Sequence, residues 1–477
     1  MPSEKGVPLL TQNRQFQWFS RPTYIFPVVP ATAATMLKKD GHDILFLDGI
    51  AAGLSEEEFT EKLKAFKPEV VVFETKTPVV KRHWCWIVKI HDGLLGFPVK
   101  TILTGDHVTA LSEESMIASP VDYILTGGDW DFLLKNVVSS GFDETKFEPG
   151  IWYRDREGNI ANTGRFRLDH DLNSAPWIDR DLVSWRNYAF RNGNFARTPG
   201  TYIMAGRDCW HAKCTFCSWT TLYPSYRTRS AIDVVDEIEE LVEKYGVKEI
   251  MDDSGSFPVG KWLETFCGEM IRRGLNRRVR IDCNMRFGRL EKRDYVMMRE
   301  AGFRLVLFGV ESANQETLDR FAKCLKVEDV LKGAKWASEA GLDVHLTFMF
   351  GHYWEGPAEI AKTVEMAQML LRKGYAATLQ CTLTIPYPGT PLFKELKAAG
   401  ALETCDWDEY DMRRAITKTP RASEEDVKAA IRQVYRGFLQ PMALYHTFRR
   451  RMFDVGFYYR AFRYLIGHLR DFKGKTA

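Results

Sequence analysis

The stretch Thr201-Tyr202-Ile203-Met204-Ala205-Gly206-Arg207-Asp208-Cys209-Trp210-His211-Ala212-Lys213-Cys214-Thr215-Phe216-Cys217-Ser218-Trp219 runs from a short apolar segment straight into three cysteines. Thr201–Ala205 reads as a strand. Three thiolates this close together can hold three irons of a [4Fe–4S] cluster and leave the fourth iron open to an outside ligand. Zinc would want a fourth ligand, and the nearby His211 lies inside the loop that the first two cysteines must already span. A plant-type [2Fe–2S] centre shares the C-x4-C-x2-C spacing but adds a distant fourth cysteine. The next cysteine here, Cys267, falls far downstream in a helical segment. Three unrelated buried cysteines would fit poorly with Gly206, Arg207 and the aromatics around them.

Downstream of that loop the strand pattern repeats. Thr201–Ala205, Val247–Asp252, Val279–Cys283, Leu305–Phe308, Val344–Phe350 and Thr378–Thr384 are strand candidates with helices between them. The clearest helix starts at Ser230 as N-cap, with Asp233 at the capping-box position and Ile232, Val235, Ile238, Leu241 and Val242 on one face. Six consecutive βα units make a partial (β/α)6 version of the eightfold TIM barrel, whose functional residues gather at the carboxyl ends of the strands. The cysteine loop follows the first strand and so falls on that face.

Upstream, Ile44–Leu47, Val70–Phe73, Thr101–Leu103 and Tyr123–Leu125 read as buried strands. Ala31–Lys38, Glu56–Phe66, Trp84–Leu95 and Ser112–Ala118 carry helical spacing. The alternation predicts an α/β, doubly wound Rossmann-like sheet with its ligand site beyond the strand ends. Those ends carry Asp48; Glu74, Thr75 and Thr77; Gly105, Asp106 and His107; and Gly127, Gly128 and Asp129. Small residues there suit close approach of a bulky cofactor, and ordinary βα turns account for most of the glycines equally well. Ile151–Arg156 and Ile160–Thr163 flank Glu157-Gly158-Asn159 as a hairpin inside a linker punctuated by Pro176 and Pro199. The expected division is 1–140, a linker at 141–200, a barrel at 201–400 and a C-terminal helical region at 401–477.

At 477 residues the chain has room for two or three domains, and 45% hydrophobic with 27% charged residues is an ordinary globular composition. The net charge of +3 is uneven, because eight Lys/Arg against two Asp lie from Phe448 to Ala477. A basic tail on a slightly acidic body argues against a general nucleic-acid binder. The tail interleaves Arg449–Arg451, Arg460, Arg463 and Arg470 with aromatics. It reads as a terminal helix packed on the barrel, or as one resting on a membrane surface. No signal peptide or membrane span is visible, and nine cysteines with one tight cluster suit a reducing cytoplasm.

Taken together, the cysteine loop, the six βα units and the N-terminal α/β domain resemble the radical S-adenosylmethionine (SAM) enzymes with a cobalamin (B12)-binding domain, over roughly residues 20–440. Thr104-Gly105-Asp106-His107-Val108-Thr109 looks like the family's Gly-Gly-Pro-His-x-Thr segment, and Thr126-Gly127-Gly128-Asp129 stands where Gly-Glu-Gly-Glu is usual. Phe308-Gly309-Val310-Glu311-Ser312 and Ile385-Pro386-Tyr387-Pro388-Gly389-Thr390-Pro391 are close to family segments. Three departures stand out. Four residues rather than three separate Cys209 from Cys214. Met251-Asp252-Asp253-Ser254-Gly255 replaces the common Gly-Gly-Glu. Asp48-Gly49-Ile50-Ala51-Ala52-Gly53 stands where many cobalamin proteins carry Asp-x-His-x-x-Gly.

The resemblance implies that Cys209, Cys214 and Cys217 hold the cluster, whose open iron chelates SAM. Reductive cleavage then yields a 5′-deoxyadenosyl radical that takes hydrogen from an unreactive carbon. It implies adenine packing for Phe216, with ordinary core packing as the alternative. Asp253 and Ser254 would hold the methionine portion of SAM or cap the next helix. Arg286, at the fourth-strand position of such folds, would meet a carboxylate or form a surface salt bridge. Glu311 would contact the cofactor ribose or a neighbouring arginine. His345, His352 and Tyr387 are possible substrate-side groups. Thr75, Thr77, Gly105, Asp106, His107, Gly127 and Gly128 would lie near cobalamin. The implied activity is methylation of an unactivated carbon of a small molecule or lipid, with a tetrapyrrole-type radical cyclase as runner-up and an iron–sulfur electron carrier behind both. A flavodoxin or ferredoxin would supply electrons.

Overall fold

The computed structural model describes residues 24–191, 195–207, 209–451 and 462, together with the backbone pairing of Val7–Pro8 with Trp18–Phe19. The interleaved arginines and aromatics expected to form a terminal helix lie, from residue 452 on, outside the described residues apart from Phe462.

The N-terminal sheet has five strands in chain order. Its parallel members are β1 (Val70–Thr75), β2 (Lys100–Gly105) and β3 (Tyr123–Leu125). The antiparallel hairpin β4 (Ile151–Arg154) and β5 (Ile160–Asn162) follows on. Strand alternation sorts the side chains onto two faces. Ile102, Tyr123, Leu125 and Ile151 join the helices Val28–Lys39 and Trp130–Ser139 in one core. Val71, Phe73, Leu103 and Ile124 join Phe59, Leu63, Trp86, Ile90 and Met116, from three helices, in another. Helices thus cover both faces, although the described strands show no reversal of order.

Two expectations need correction. The hairpin is no linker element, since β4 pairs along β3 and extends the N-terminal sheet past residue 140. The run Ile44–Leu47 joins no described ladder, and Leu45 is 37% exposed. Four apolar residues in a row look the same whether or not they bond into a sheet. Here the side chain of Asp48 anchors the segment instead, accepting from the Ile50 and Ala51 amides at 3.0 Å and from Tyr188 Oη at 2.5 Å.

The second sheet has six parallel strands, again in chain order: β6 (Gly200–Ile203), β7 (Glu249–Asp252), β8 (Arg280–Met285), β9 (Phe303–Glu311), β10 (Asp343–Phe350) and β11 (Thr378–Leu383). Each pairs with the next, and β6 and β11 are not bonded to each other, so the sheet stays open. The helix Ala231–Tyr245 begins where Ser230 Oγ accepts from the Asp233 amide at 3.1 Å. Its buried face is Ala231, Val234, Val235, Ile238, Leu241 and Val242, with Ile232 exposed. The Asp233 carboxylate turns away from the cap to Arg229 Nε at 2.7 Å and Trp177 Nε1 at 3.0 Å. The helix Glu424–Arg436 closes the far side, with Tyr435 Oη accepting from the Cys381 amide of β11.

Candidate active site

The cysteine loop leaves the carboxyl end of β6 and is fixed first to the end of β7. The Ala205 amide donates to Asp252 Oδ2 at 2.7 Å, the Gly206 amide to Ser254 Oγ at 2.9 Å, and the Ser254 amide to Asp252 Oδ1 at 3.0 Å. Burial pushes the Asp252 carboxyl up to about 6, against the hydrogen bonds that favour its charged form. Asp253 and Ser254 are buried beside it. The loop is stitched next to the segment after β9, where the Thr215 amide donates to Phe321 O at 3.0 Å and His211 Nε2 meets Ala322 O at 2.7 Å. The four-residue spacer turns through a left-handed Ala212 (φ 47°), opposite a left-handed Ala322 (φ 49°).

The three thiols share one electrostatic neighbourhood. Burial pushes up both Cys214 and Cys217, and negative charge on the neighbouring cysteines adds to it, while Lys323 pulls the other way. Arg286 Nη1 donates to Cys214 Sγ at 3.5 Å, Nη2 donates to Lys323 O, and the guanidinium lies 5.1 Å from the Trp210 ring centre. A Cβ at Gly255 would stand 3.2 Å from that of Cys209 and 3.1 Å from the Trp219 ring, so a side chain there would crowd the cysteine pocket. Among the described residues no three His, Cys, Asp or Glu side chains are gathered to hold a single metal ion. Three thiols in one partly buried, cation-lined pocket suit a larger anionic cluster.

The structure therefore brings Cys209, Cys214, Cys217, Asp253, Ser254 and Arg286 to one mouth. Arg286 follows β8, the third strand and not the fourth. Glu311, left-handed (φ 69°) and buried at the end of β9, pairs with Lys323 Nζ at 2.7 Å, not with an arginine. A Cβ at Gly309 would lie 2.2 Å from Glu311 Oε1, so glycine leaves room for that pair. Phe216 packs edge-on against Phe321, 4.7 Å between ring centres, among Leu392 and Leu396. His345 bonds sideways within the sheet to Thr378 Oγ1 at 2.7 Å, near the start of β10 and away from the mouth. His352 Nδ1 meets Thr384 Oγ1 at 2.7 Å, and Tyr387 Oη donates to Tyr410 O at 3.1 Å.

The N-terminal strand ends carry a polar cluster, and the helix Asp106–Ala110 there packs on the helix Trp219–Leu222 that follows the cysteines. Thr75 Oγ1 meets His83 Nδ1 at 2.9 Å, Thr77 Oγ1 meets His107 Nδ1 at 3.2 Å, and Asp106 Oδ1 accepts from the His107 amide. Burial lowers His107 to about 3, so its ring is neutral, set between Trp84 and Trp407. The glycines are occupied by protein atoms. A Cβ at Gly105 would strike Thr75 O at 2.1 Å, one at Gly127 the Phe166 ring at 2.4 Å, and one at Gly128 the Tyr223 ring at 1.7 Å. Close packing of chain on chain is enough to require glycine at these positions. Among the described residues the buried Thr104 Oγ1 has no hydrogen-bond partner and the buried Lys76 Nζ has only Glu74, at 3.6 Å, a pair of groups that suits a polar ligand.

Docking of the two sheets uses residues beside the cysteines. The Gly128 amide donates to Leu222 O at 3.0 Å and Tyr223 Oη to Gly128 O at 3.1 Å. Arg207 pairs with Asp131 and Asp129, and Arg227 with Asp129. Lys323, Lys76, Asp131, Arg227 and Tyr223 carry no sequence signal; as types they read as surface charges or core.

Residues 203–367 match the family model of the Radical SAM superfamily. The chain is 29% identical over 453 residues to an anaerobic magnesium-protoporphyrin IX monomethyl ester cyclase of Cereibacter sphaeroides, covering 91% of this chain and 69% of that one. It is 26% identical to an uncharacterized methyltransferase of Pyrococcus horikoshii, covering 88% and 89%. In fold it is similar to the radical SAM methyltransferase TsrM of Kitasatospora setae, solved with cobalamin and a [4Fe–4S] cluster (TM-score 0.66, 16% identity, 88% of this chain and 87% of that one). It is also similar to the cobalamin-dependent radical SAM enzyme OxsB (TM-score 0.69, 14% identity, 86% and 64%).

Proposed function

We propose that the chain, whose residues 203–367 match the Radical SAM superfamily, is a radical SAM enzyme that uses cobalamin to methylate an unactivated carbon of a small-molecule or lipid substrate. The observation that carries this reading is the meeting of two strand-end surfaces. The Cys209–Cys217 loop and the polar edge around Thr104, Asp106 and His107 belong to separate sheets, yet the helix Asp106–Ala110 packs on the helix Trp219–Leu222 just after the cysteines.

In this reading Cys209, Cys214 and Cys217 hold the [4Fe–4S] cluster, and Ser254, Asp253 and the Glu311–Lys323 pair line the SAM side. Thr104, Lys76, Asp106 and His107 would meet polar groups of cobalamin. When bound, the cluster, SAM and cobalamin would supply reductive cleavage of SAM, hydrogen abstraction from carbon and a transferable methyl. The protein's share is orientation and shielding. Arg286 and Lys323 place positive charge at the cluster thiolates, and Trp219 and Tyr223 close one side against water. An external low-potential electron donor of flavodoxin or ferredoxin type is part of the proposal. Among the described residues no helix is long and apolar enough to cross a membrane.

Ring closure is the second reading, favoured by the likeness to the cyclase over 91% of this chain. SAM carrying a deuterated methyl group separates the two. Reconstituted protein incubated anaerobically with magnesium-protoporphyrin monomethyl ester, and separately with a small-molecule and lipid extract, should place the label in product if it methylates. A cyclised product without label selects ring closure.

A further inference from the structure

We infer that the foot of the six-stranded sheet, opposite the cysteines, is a binding site for a small oligophosphate anion such as pyrophosphate or the phosphate chain of a nucleotide. A cavity of about 370 Å³ opens there, lined by Arg197, Arg280, Arg299, Arg304, Arg450 and Asp343. These residues sit before β6, at the start of β8, at the end of the helix Lys292–Glu300, in β9, in the helix Pro441–Arg451 and at the start of β10. Five separate elements thus deliver guanidinium groups to one hollow.

Arg304 is neutralised by three carboxylates in this hollow. It bonds Asp282 at 2.5 Å, Glu249 at 2.8 Å and Asp343 at 3.4 Å. Among the described residues, Arg197, Arg280 and Arg299 form no ion pair. Arg280 donates to Asn276 O at 2.9 Å and Arg299 to Phe303 O at 3.3 Å, while Arg450 donates to Ser338 Oγ at 2.5 Å and to Gly374 O. Carbonyl and hydroxyl acceptors fix the direction of a guanidinium without cancelling its charge. Burial first, and then the charges of Arg197 and Arg299, lower the Arg280 pKa, with Glu249 opposing them. Like charges held together in excess of their counter-charges destabilise a fold. Planar forks pre-aimed into a concave space match the oxygens of phosphoryl groups in pairs. The chemistry proposed above lies at the opposite ends of the strands and makes no use of this charge.

Isothermal titration of the anaerobically reconstituted protein with pyrophosphate, and separately with ATP, tests the site. The expected result is one saturable site that weakens as salt rises. Binding should fall at least about tenfold in Arg280→Gln/Arg299→Gln, one tenfold step being about 1.4 kcal/mol. Pyrophosphate should raise the melting temperature of the parent protein but not of the double variant. A Cys209→Ala/Cys214→Ala/Cys217→Ala variant, which ends the proposed radical chemistry, should keep the same isotherm. The two readings therefore fail separately. Tighter binding of ATP than of pyrophosphate would assign a nucleotide, and equal affinity the phosphate chain alone. Absence of saturable binding to both, or affinity unchanged in the double variant, would overturn the inference.

Discussion

Arg207 and Asp131 meet in a two-point ion pair across the interface between the sheets. Nη1 donates to Oδ1 at 2.5 Å and Nη2 to Oδ2, with both side chains buried. Burial works against the arginine's charge, and Asp131 followed by Asp129 outweighs it. Arg207 stands two residues before Cys209, so this side chain ties the docking of the N-terminal domain to the start of the cysteine loop. Removing one partner strands a buried charge. Arg207→Met should lower stability by about 3–5 kcal/mol, read from denaturant midpoints, and reduce iron retained after reconstitution. Unchanged stability and iron content would show that the pair does not hold the loop.

The same interface should respond to pH through His170, whose ring lies 3.0 Å from both Asp129 and Glu148. Burial pushes its pKa down, and the two carboxylates outweigh that and raise it. A raised folded pKa contributes stability below the ordinary histidine value of about 6.5 and loses it as pH rises through the folded value. Asp129 has the opposite sign. It is held below its ordinary range, so its share persists above about 4 and fades only on acidification. Between pH 6 and 9 the urea midpoint of the parent protein should fall more than that of His170→Gln. Parallel profiles would remove His170 from the linkage.

Gly128→Ala should cost about 1–3 kcal/mol or more, because its methyl would lie 1.7 Å from the Tyr223 ring. If the glycine serves this contact, Tyr223→Ala in the same chain should recover part of the loss in a double-mutant cycle. Additive losses would mean that the two residues are not coupled.

Arg286→Met removes a donor and a positive charge from the Cys214 sulfur. The cluster should become harder to reduce, on the order of tens of mV, with about 59 mV corresponding to a tenfold change for one electron. Redox titration followed by electron paramagnetic resonance reads this directly, and Arg286→Lys should retain part of the parent potential. A potential that stays put in Arg286→Met would leave the arginine a packing role over Trp210.

The six strands of the second sheet were legible because each is a short apolar or alternating run with a helical stretch on either side, and the cysteine loop because its spacing is local. Ile44–Leu47 misled for the same reason, since its short apolar run says nothing about a ladder. The interface was illegible because its pairs are distant in sequence. Arg207 lies 76 residues from Asp131, and Tyr223 lies 95 from Gly128. Gly105, Gly127 and Gly128 were readable as places of close approach, but what approaches depends on tertiary packing. Lys323 reads as a surface lysine until the chain folds it between Glu311 and the cysteines.

The most direct test of the account is SAM cleavage by protein reconstituted anaerobically with iron, sulfide and hydroxocobalamin, then reduced. The account predicts 5′-deoxyadenosine, formed by the parent protein and abolished by Cys209→Ala, Cys214→Ala or Cys217→Ala alone, each variant remaining folded. A protein that carries zinc in place of the cluster, or that forms 5′-deoxyadenosine undiminished after loss of one of these cysteines, would contradict it.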